Sequence, residues 1–231
     1  MNGFFSSAGG WVGAIQSPLL ISLKVALTAT AGTFGLAILA AWRLRSRKSL
    51  LSSMLDAAFT LPLVLPPTVI GYYLIQLLGR RGLLGPELGA WGINLMFTWQ
   101  GAVAAASVVI FPLIYKSCRA ALEQVNPDLE DAARTLGASE WRILVTISIP
   151  LAWKGIFAGL ILAFARGMGE FGATLMIAGN IPGKTQTLAL AIYSAFQAGE
   201  DERAFFLAVA TSVFCCAALI SAEYISRLGR K

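Results

Sequence analysis

Three stretches of this chain, Ala57 to Gly79, Ile93 to Tyr115 and Ala204 to Ala222, contain no charged residue. About 18 consecutive residues of that kind are enough for a helix that crosses a bilayer. Two more stretches are nearly as clean: Ile21 to Trp42, interrupted only by Lys24, and Leu151 to Ile177, interrupted by Lys154, Arg166 and Glu170. The chain therefore reads as an all-α membrane protein with about five crossings. Composition agrees, with 57% hydrophobic and 13% charged residues against roughly 25% charged in a soluble domain. The longest stretch outside the spans is the loop 116–150, so residues 1–231 are expected to form one transmembrane domain with no separate soluble unit.

The net charge of +6 is a matter of topology. Arg43, Arg45, Arg47 and Lys48 follow span one; Lys116, Arg119, Arg134, Arg142 and Lys154 lie between spans three and four or at the foot of four; Arg227, Arg230 and Lys231 end the chain. The opposite side holds only Arg80, Arg81, Lys184 and Arg203. By the positive-inside rule the amino terminus is then periplasmic and the carboxyl terminus cytoplasmic. Nothing in this pattern points to nucleic acid. Lys24, near the outer end of span one, is expected to snorkel. No basic residue precedes span one, so a cleaved signal peptide is not expected. Cys118, Cys215 and Cys216 are read as small apolar filler, and with no His in the chain a metal site is not expected.

Two motifs fail on their context. Gly167 to Gly172 fits G-x-G-x-x-G, but that pattern needs a strand before it and a soluble helix after it, and here it lies inside an apolar span. Small residues letting helices approach closely is the better reading. Gly179-Asn180-Ile181-Pro182-Gly183-Lys184-Thr185 approximates a phosphate loop, yet one residue is missing between its glycines and Pro182 has no amide to offer a phosphate. The chain is expected to hydrolyse no ATP and to bind no cofactor, and without His it offers no ordinary nucleophile–base pair.

Other features keep two readings. Pro62, Pro66 and Pro67 break backbone bonding within span two, either because the helix lines a cavity or because it is a bent helix packed on its neighbours. Arg166 and Glu170, four apart near the middle of span four, share one helix face. They are either a neutralising pair that fixes packing or a polar point on a pathway, where Arg166 attracts an anion and Glu170 keeps it from binding too tightly. The segment Thr185 to Gly199 is too short to span, and Leu188, Ile192, Ala195 and Phe196 place one apolar face on a helix at the outer surface.

The loop between spans three and four is the most distinctive. Pro127, Asp128, Glu130 and Asp131 make a good helix start, acids lying near the positive end of the dipole. Leu129, Ala132, Ala133 and Leu136 form an apolar stripe, and Gly137 ends the helix in a left-handed conformation. A second helical run begins near Ser139, with Glu140 and Trp141, and continues to Pro150. Such a helix–turn–helix either projects towards a partner or folds back on its own spans.

This loop resembles the EAA motif of the membrane subunits of binding-protein-dependent ABC importers, with Asp131, Ala132, Ala133 and Gly137 preceding an Ile147-Ser148-Ile149-Pro150 ending. Asp131 stands in place of the usual Glu and Ile149 in place of the usual Leu. Leu61 to Tyr72, Gly79 to Gly82, Gly169 to Thr174 and Gly179 to Gly183 resemble the molybdate permease branch, with tungstate and sulfate permeases as close relatives. The resemblance implies a type I importer: two copies of this chain, two of a cytoplasmic ATPase that holds ATP and magnesium, and a periplasmic molybdate-binding protein, assembled in the bacterial inner membrane. It implies that Asp131 to Gly137, with Leu136, Ile147 and Pro150, couple to the ATPase; Glu130, Arg134 and Glu140 are candidate polar contacts, hydration being the alternative. Thr174 and Asn180 join Pro66, Pro67, Arg166 and Glu170 as pathway candidates. An ion-coupled carrier or a passive channel would need no ATPase, but five spans without an internal repeat argue against most secondary carriers.

Overall fold

The computed structural model describes residues 2–45 and 49–228. Arg47, Lys48, Arg230 and Lys231, part of the charge reading, lie outside the described residues, as does the side chain of Arg227. Among the described residues four helices are long and apolar enough to cross a membrane, and a pair bent by 110° brings the number to five when it is counted as one span. α1 runs Asn2–Leu44, α5 Trp99–Glu123 and α11 Asp201–Leu228. The remaining long helix begins as α7, Glu140–Ile143, widens through a π turn at Leu144–Ser148 and continues as α8, Ile149–Met168.

α1, α5 and α8 pack together, and α11 covers α8. Their contact faces are built from small residues: Ala26, Ala29, Ala37 and Ala41 of α1, with Ala102, Ala105 and Ala106 of α5, are fully buried. In lipid no hydrophobic force draws apolar helices together, so close van der Waals approach has to do it, and small side chains permit that approach. α5 and α8 approach closely. A Cβ built on Gly155 would lie 2.7 Å from the Cβ of Ala121, and one on Gly159 would overlap Ser117. These two glycines form a G-x-x-x-G repeat on α8; within Gly167 to Gly172, where close approach is expected from sequence, Gly172 makes it, an added Cβ lying 2.9 Å from that of Pro67, whereas one on Gly167 would make only ordinary contacts.

Span two is not one kinked helix across Ala57 to Gly79. α2, Leu50–Thr60, and a 3-10 turn, Leu61–Leu63, are followed after a break by α3, Pro67–Leu78, at an angle of 110°. The reason is local. Pro67 excludes the helical conformation at the residue before it, and Pro66 accordingly sits at φ −56°, ψ 138°. Span four is displaced as well: it starts at Glu140 instead of Leu151 and ends at Met168 instead of Ile177, with Gly169 to Phe171 non-helical before α9, Gly172–Ala178. Pro150 does not end a helix but stands in the first turn of α8, directly after the wide π turn, where its missing N–H and its ring are tolerated.

Between α9 and α11 lies α10, Leu188–Gln197, packed on α1 and α11 and pinned by Ser22, whose hydroxyl accepts from the Leu188 amide at 2.8 Å. Its buried stripe is Leu188, Ala191 and Ala195, with Leu190. Phe196, expected on that stripe, is 68% exposed, because it lies about 100° round the helix from Ala195. Lys24 does not merely snorkel: its ammonium sits 3.6 Å from the centroid of the Trp99 ring, a cation–π contact that ties α1 to the start of α5.

Candidate coupling loop and pathway residues

After α5 the chain leaves the bundle for α6, Pro127–Thr135. Asn126 caps it, its side chain accepting from the Asp128 amide at 3.0 Å, and Pro127 occupies the first turn, where no donor is missed. At the other end Gly137 takes φ +83°, and the amides of Gly137 and Ala138 donate to the carbonyls of Arg134 and Ala133. That pair of bonds is a Schellman motif. Ser139 then caps α7, accepting from the Arg142 amide at 3.3 Å. Across the turn Arg134 grips Glu140 with two nitrogens, at 2.6 and 3.1 Å, and also pairs with Asp131. These carboxylates, Glu140 first, push the Arg134 pKa above its ordinary value. Arg134 and Glu140 thus neutralise each other, exposed but not free.

The apolar stripe of α6 is largely exposed, with Leu129 at the mouth of a groove lined by Ala121 of α5 and Leu151 and Gly155 of α8. Leu129, Ala132 and Leu136 are exposed, Leu136 by 88%, as is Trp141 of α7, while Ala133 is half-buried. Asp131 is exposed, Ile147 half-buried in the π turn, and Pro150 exposed. Replacing Leu136 with Asp removes no internal contact, so folded yield should match the parent. If this stripe is a docking face, recovery of a copurifying ATPase should drop roughly tenfold, as for a central apolar anchor at an interface; undiminished recovery would show that the stripe does not dock.

Glu130 is neither hydrated nor available to a partner. It is 5% exposed, and its carboxylate receives Arg45 of α1 at 2.6 and 2.7 Å and the Ser148 hydroxyl at 2.6 Å. Arg45 also donates to the Leu122 carbonyl of α5 at 3.2 Å. The helix period is compatible with this correction: Glu130 lies about 100° round α6 from Leu129, on the flank of the stripe next to half-buried Ala133, and that flank faces the bundle.

The pathway candidates divide into two groups. Glu170 is 2% exposed and lies in the break between α8 and α9, beyond the helix that carries Arg166, so the two do not share a helix face as expected. They meet nonetheless: Glu170 Oε2 is 3.0 Å from the Arg166 guanidinium without hydrogen-bond alignment, and Oε1 accepts from the Ala173 amide at 3.1 Å. Arg166 remains partly exposed. The break of span two adjoins this point, because a Cβ on Gly172 would lie 2.9 Å from the Cβ of Pro67 and one on Gly71 would lie 2.7 Å from the Cβ of Met176. Thr174 is buried with its hydroxyl unpartnered. Two interrupted helices thus meet beside a buried carboxylate and a half-open guanidinium. Irregular backbone at membrane depth is tolerated where protein buries it or where it lines a water-filled cavity. Asn180 belongs elsewhere, in a polar cluster where its amide donates to Ser194 at 2.6 Å and its carbonyl accepts from Gln186 at 3.0 Å.

The sequence profile described as "Binding-protein-dependent transport system inner membrane component" matches residues 33–231. The chain belongs to this family. The molybdenum transport system permease protein ModB of Haemophilus influenzae is 42% identical over 217 residues, covering 93% of this chain and 95% of the relative. The sulfate transport system permease protein CysW of Synechocystis is 32% identical over 216 residues, covering 92% and 77%. Among solved structures, an inward-facing MetNI methionine ABC transporter superposes with a TM-score of 0.69 at 14% identity, covering 93% and 95% of the two chains, which establishes the shared architecture. This inner membrane component is therefore a multi-pass membrane protein with the type I ABC importer permease fold.

Sequence reasoning missed Arg45 and Ser148. Arg45 had been counted only as one of the basic residues that set topology, and Ser148 only as the variable position of the Ile-x-Ile-Pro ending. One signal was available for Ser148, since a hydroxyl just before an intramembrane proline has a backbone or carboxylate partner to find.

Proposed function

We propose that this chain is the molybdate-translocating subunit of an inner-membrane ABC importer. Two copies would work with two copies of a cytoplasmic ATPase, which carries ATP and magnesium, and with a periplasmic molybdate-binding protein. The observation that carries the substrate is the gradient of identity: 42% over nearly the full length of a molybdenum permease, against 32% and 35% to two sulfate permeases that are themselves only partly covered. The exposed stripe of α6 supports the ATPase as partner, since a helix of this chain that leaves Leu136 in water needs a surface to cover it. In this reading the amino terminus is periplasmic, the carboxyl terminus cytoplasmic, residues 1–231 act as one domain, and energy comes from the separate subunit. Asp131 to Gly137 carry the coupling.

Uptake of labelled molybdate, competed by tungstate and by sulfate, tests the substrate. Tungstate, of similar size and charge, should compete and sulfate should not. Sulfate inhibiting as well as molybdate itself would move the chain to the sulfate branch. An isolated chain that never copurifies with an ATPase would instead favour a carrier or channel.

Arg166 is proposed as the point on the path that meets the anion. Arg166→Lys keeps the charge beside Glu170 but loses the planar fork of donors. Initial uptake should fall roughly tenfold, the effect of about one charge-assisted hydrogen bond. Full transport by the Lys variant would leave the pair a packing element.

A further inference from the structure

The carboxylate of Glu130 ties three segments together. It stands on α6 with its backbone one residue from the exposed Leu129, yet its side chain is 7% exposed and reaches inward. One oxygen takes both Arg45 at 2.7 Å and the Ser148 hydroxyl at 2.6 Å, and the other takes Arg45 at 2.6 Å. Arg45 follows the last residue of α1, and through its other nitrogen it holds the Leu122 carbonyl near the end of α5. Ser148 is the last residue of the π turn at the foot of span four, fully buried, with its hydroxyl also directed at the Ile143 carbonyl. The exposed Arg134, which holds Glu140 across the Gly137 turn, also lies 3.8 Å from the Glu130 carboxylate.

The location of Ser148 matters. A π turn inside an α-helix is rare and recurs at functional sites. Here it separates α7, which carries part of the exposed face, from α8, which carries Arg166 towards the break at Gly169 to Phe171. A buried, multiply bonded carboxylate is stiff: its partners are desolvated and fixed in direction, so displacement of α6 is transmitted to them.

We propose that Glu130 is a positioning residue for transport, a strut that carries motion of α6 into α1 through Arg45 and into the π hinge of span four through Ser148. This rests on the importer reading and adds to it the route by which the docking helix drives the spans. Partner contact is made by the exposed stripe, and Glu130 acts only within this chain. A structural role alone would lower docking, hydrolysis and uptake together; a strut lowers the work done per hydrolysis.

The test uses the full chain reconstituted with its ATPase and its binding protein, with labelled molybdate uptake and phosphate release measured on the same vesicles. Glu130→Gln keeps the shape but loses the charge that holds Arg45; Ser148→Ala removes only the link to the π turn and leaves the ion pair, so it guards against a Glu130→Gln chain that fails to assemble. Both variants should retain the ATPase and hydrolyse ATP. Molybdate taken up per ATP should fall at least tenfold in Glu130→Gln and roughly threefold in Ser148→Ala. An unchanged ratio in both, while the parent is coupled, overturns the strut and leaves the importer reading intact. A parent chain that carries no ATPase overturns the importer reading and the strut with it.

Discussion

Gly159→Leu should all but abolish the folded chain. α5 and α8 approach so closely at this point that the Cβ alone would overlap the Ser117 side chain, and one turn earlier a Cβ on Gly155 would meet that of Ala121 at 2.7 Å. The neighbours on the same face, Ala152, Ile156 and Ala163, are buried; a groove lined by Ser117, Ala121, Gly155 and Gly159 adjoins the site, but any side chain must first place its Cβ where it overlaps that of Ser117. Overpacking a well-filled core costs about 1–3 kcal/mol, and here the contact is helix against helix, so relief requires the two spans to separate along several turns. The central trio of α1, α5 and α8 would lose one of its three contacts. The measurement is the monodisperse, detergent-extracted fraction of a fluorescently tagged chain, expected to drop at least roughly tenfold if about 3 kcal/mol is lost from a marginally stable fold. Gly32→Ala is the control of opposite sign: nothing lies within 4 Å of a Cβ there, and alanine is favoured in a helix by about 1 kcal/mol. Trimming the facing residue, Ser117→Gly, should partly restore a Gly159→Ala chain. Parental yield from Gly159→Leu would mean that α5 and α8 do not pack face to face as described.

What the sequence could reveal followed the range over which each signal acts. Uncharged runs report burial in lipid directly, and each of the five runs corresponds to a span or a bent pair. Their ends were less legible. Apolarity continues without interruption through Pro66 and Pro67, although adjacent prolines stop any helix, and it gives no hint that a span begins in the charged segment Glu140 to Arg142. The Gly137 turn was read correctly because a left-handed helix end is specified by four or five neighbouring residues. Glu130 was misread because its partner Arg45 lies 85 residues away, and a single sequence contains no record of that contact. The Arg166–Glu170 pair shows the intermediate case: the spacing announced the contact, but the glycines around it, which end α8 at Met168, decided that the contact bridges a break and does not decorate a helix face.

Gly137→Glu should eliminate uptake while leaving the bundle folded, and this dissociation is what separates a docking turn from a structural one. Gly137 is held at φ +83°, and nothing in this chain lies within 4 Å of a Cβ placed on it. The internal penalty is therefore the left-handed conformation itself, about 1–2 kcal/mol for a side chain with a Cβ. A carboxylate adds to it by sitting at the negative end of the α6 dipole, at about 0.3–1 kcal/mol, next to Asp131 and Glu140, where it competes for Arg134. Together these terms disfavour the observed turn by roughly 1–3 kcal/mol, enough to shift the orientation of α6 relative to α7 in most molecules. Leu136, Ala132 and Trp141 are not part of the buried core, so the tagged chain should extract as a monodisperse species at near-parental yield. Uptake should fall roughly thirtyfold to hundredfold, in step with loss of the copurifying ATPase. Gly137→Asn discriminates strain from charge, since asparagine tolerates the left-handed region: it should keep at least half of the parental uptake. If Gly137→Glu transports normally, the turn between α6 and α7 has no part in coupling; if Gly137→Asn is as inactive as Gly137→Glu, the partner surface requires a bare backbone there, and strain is not the cause.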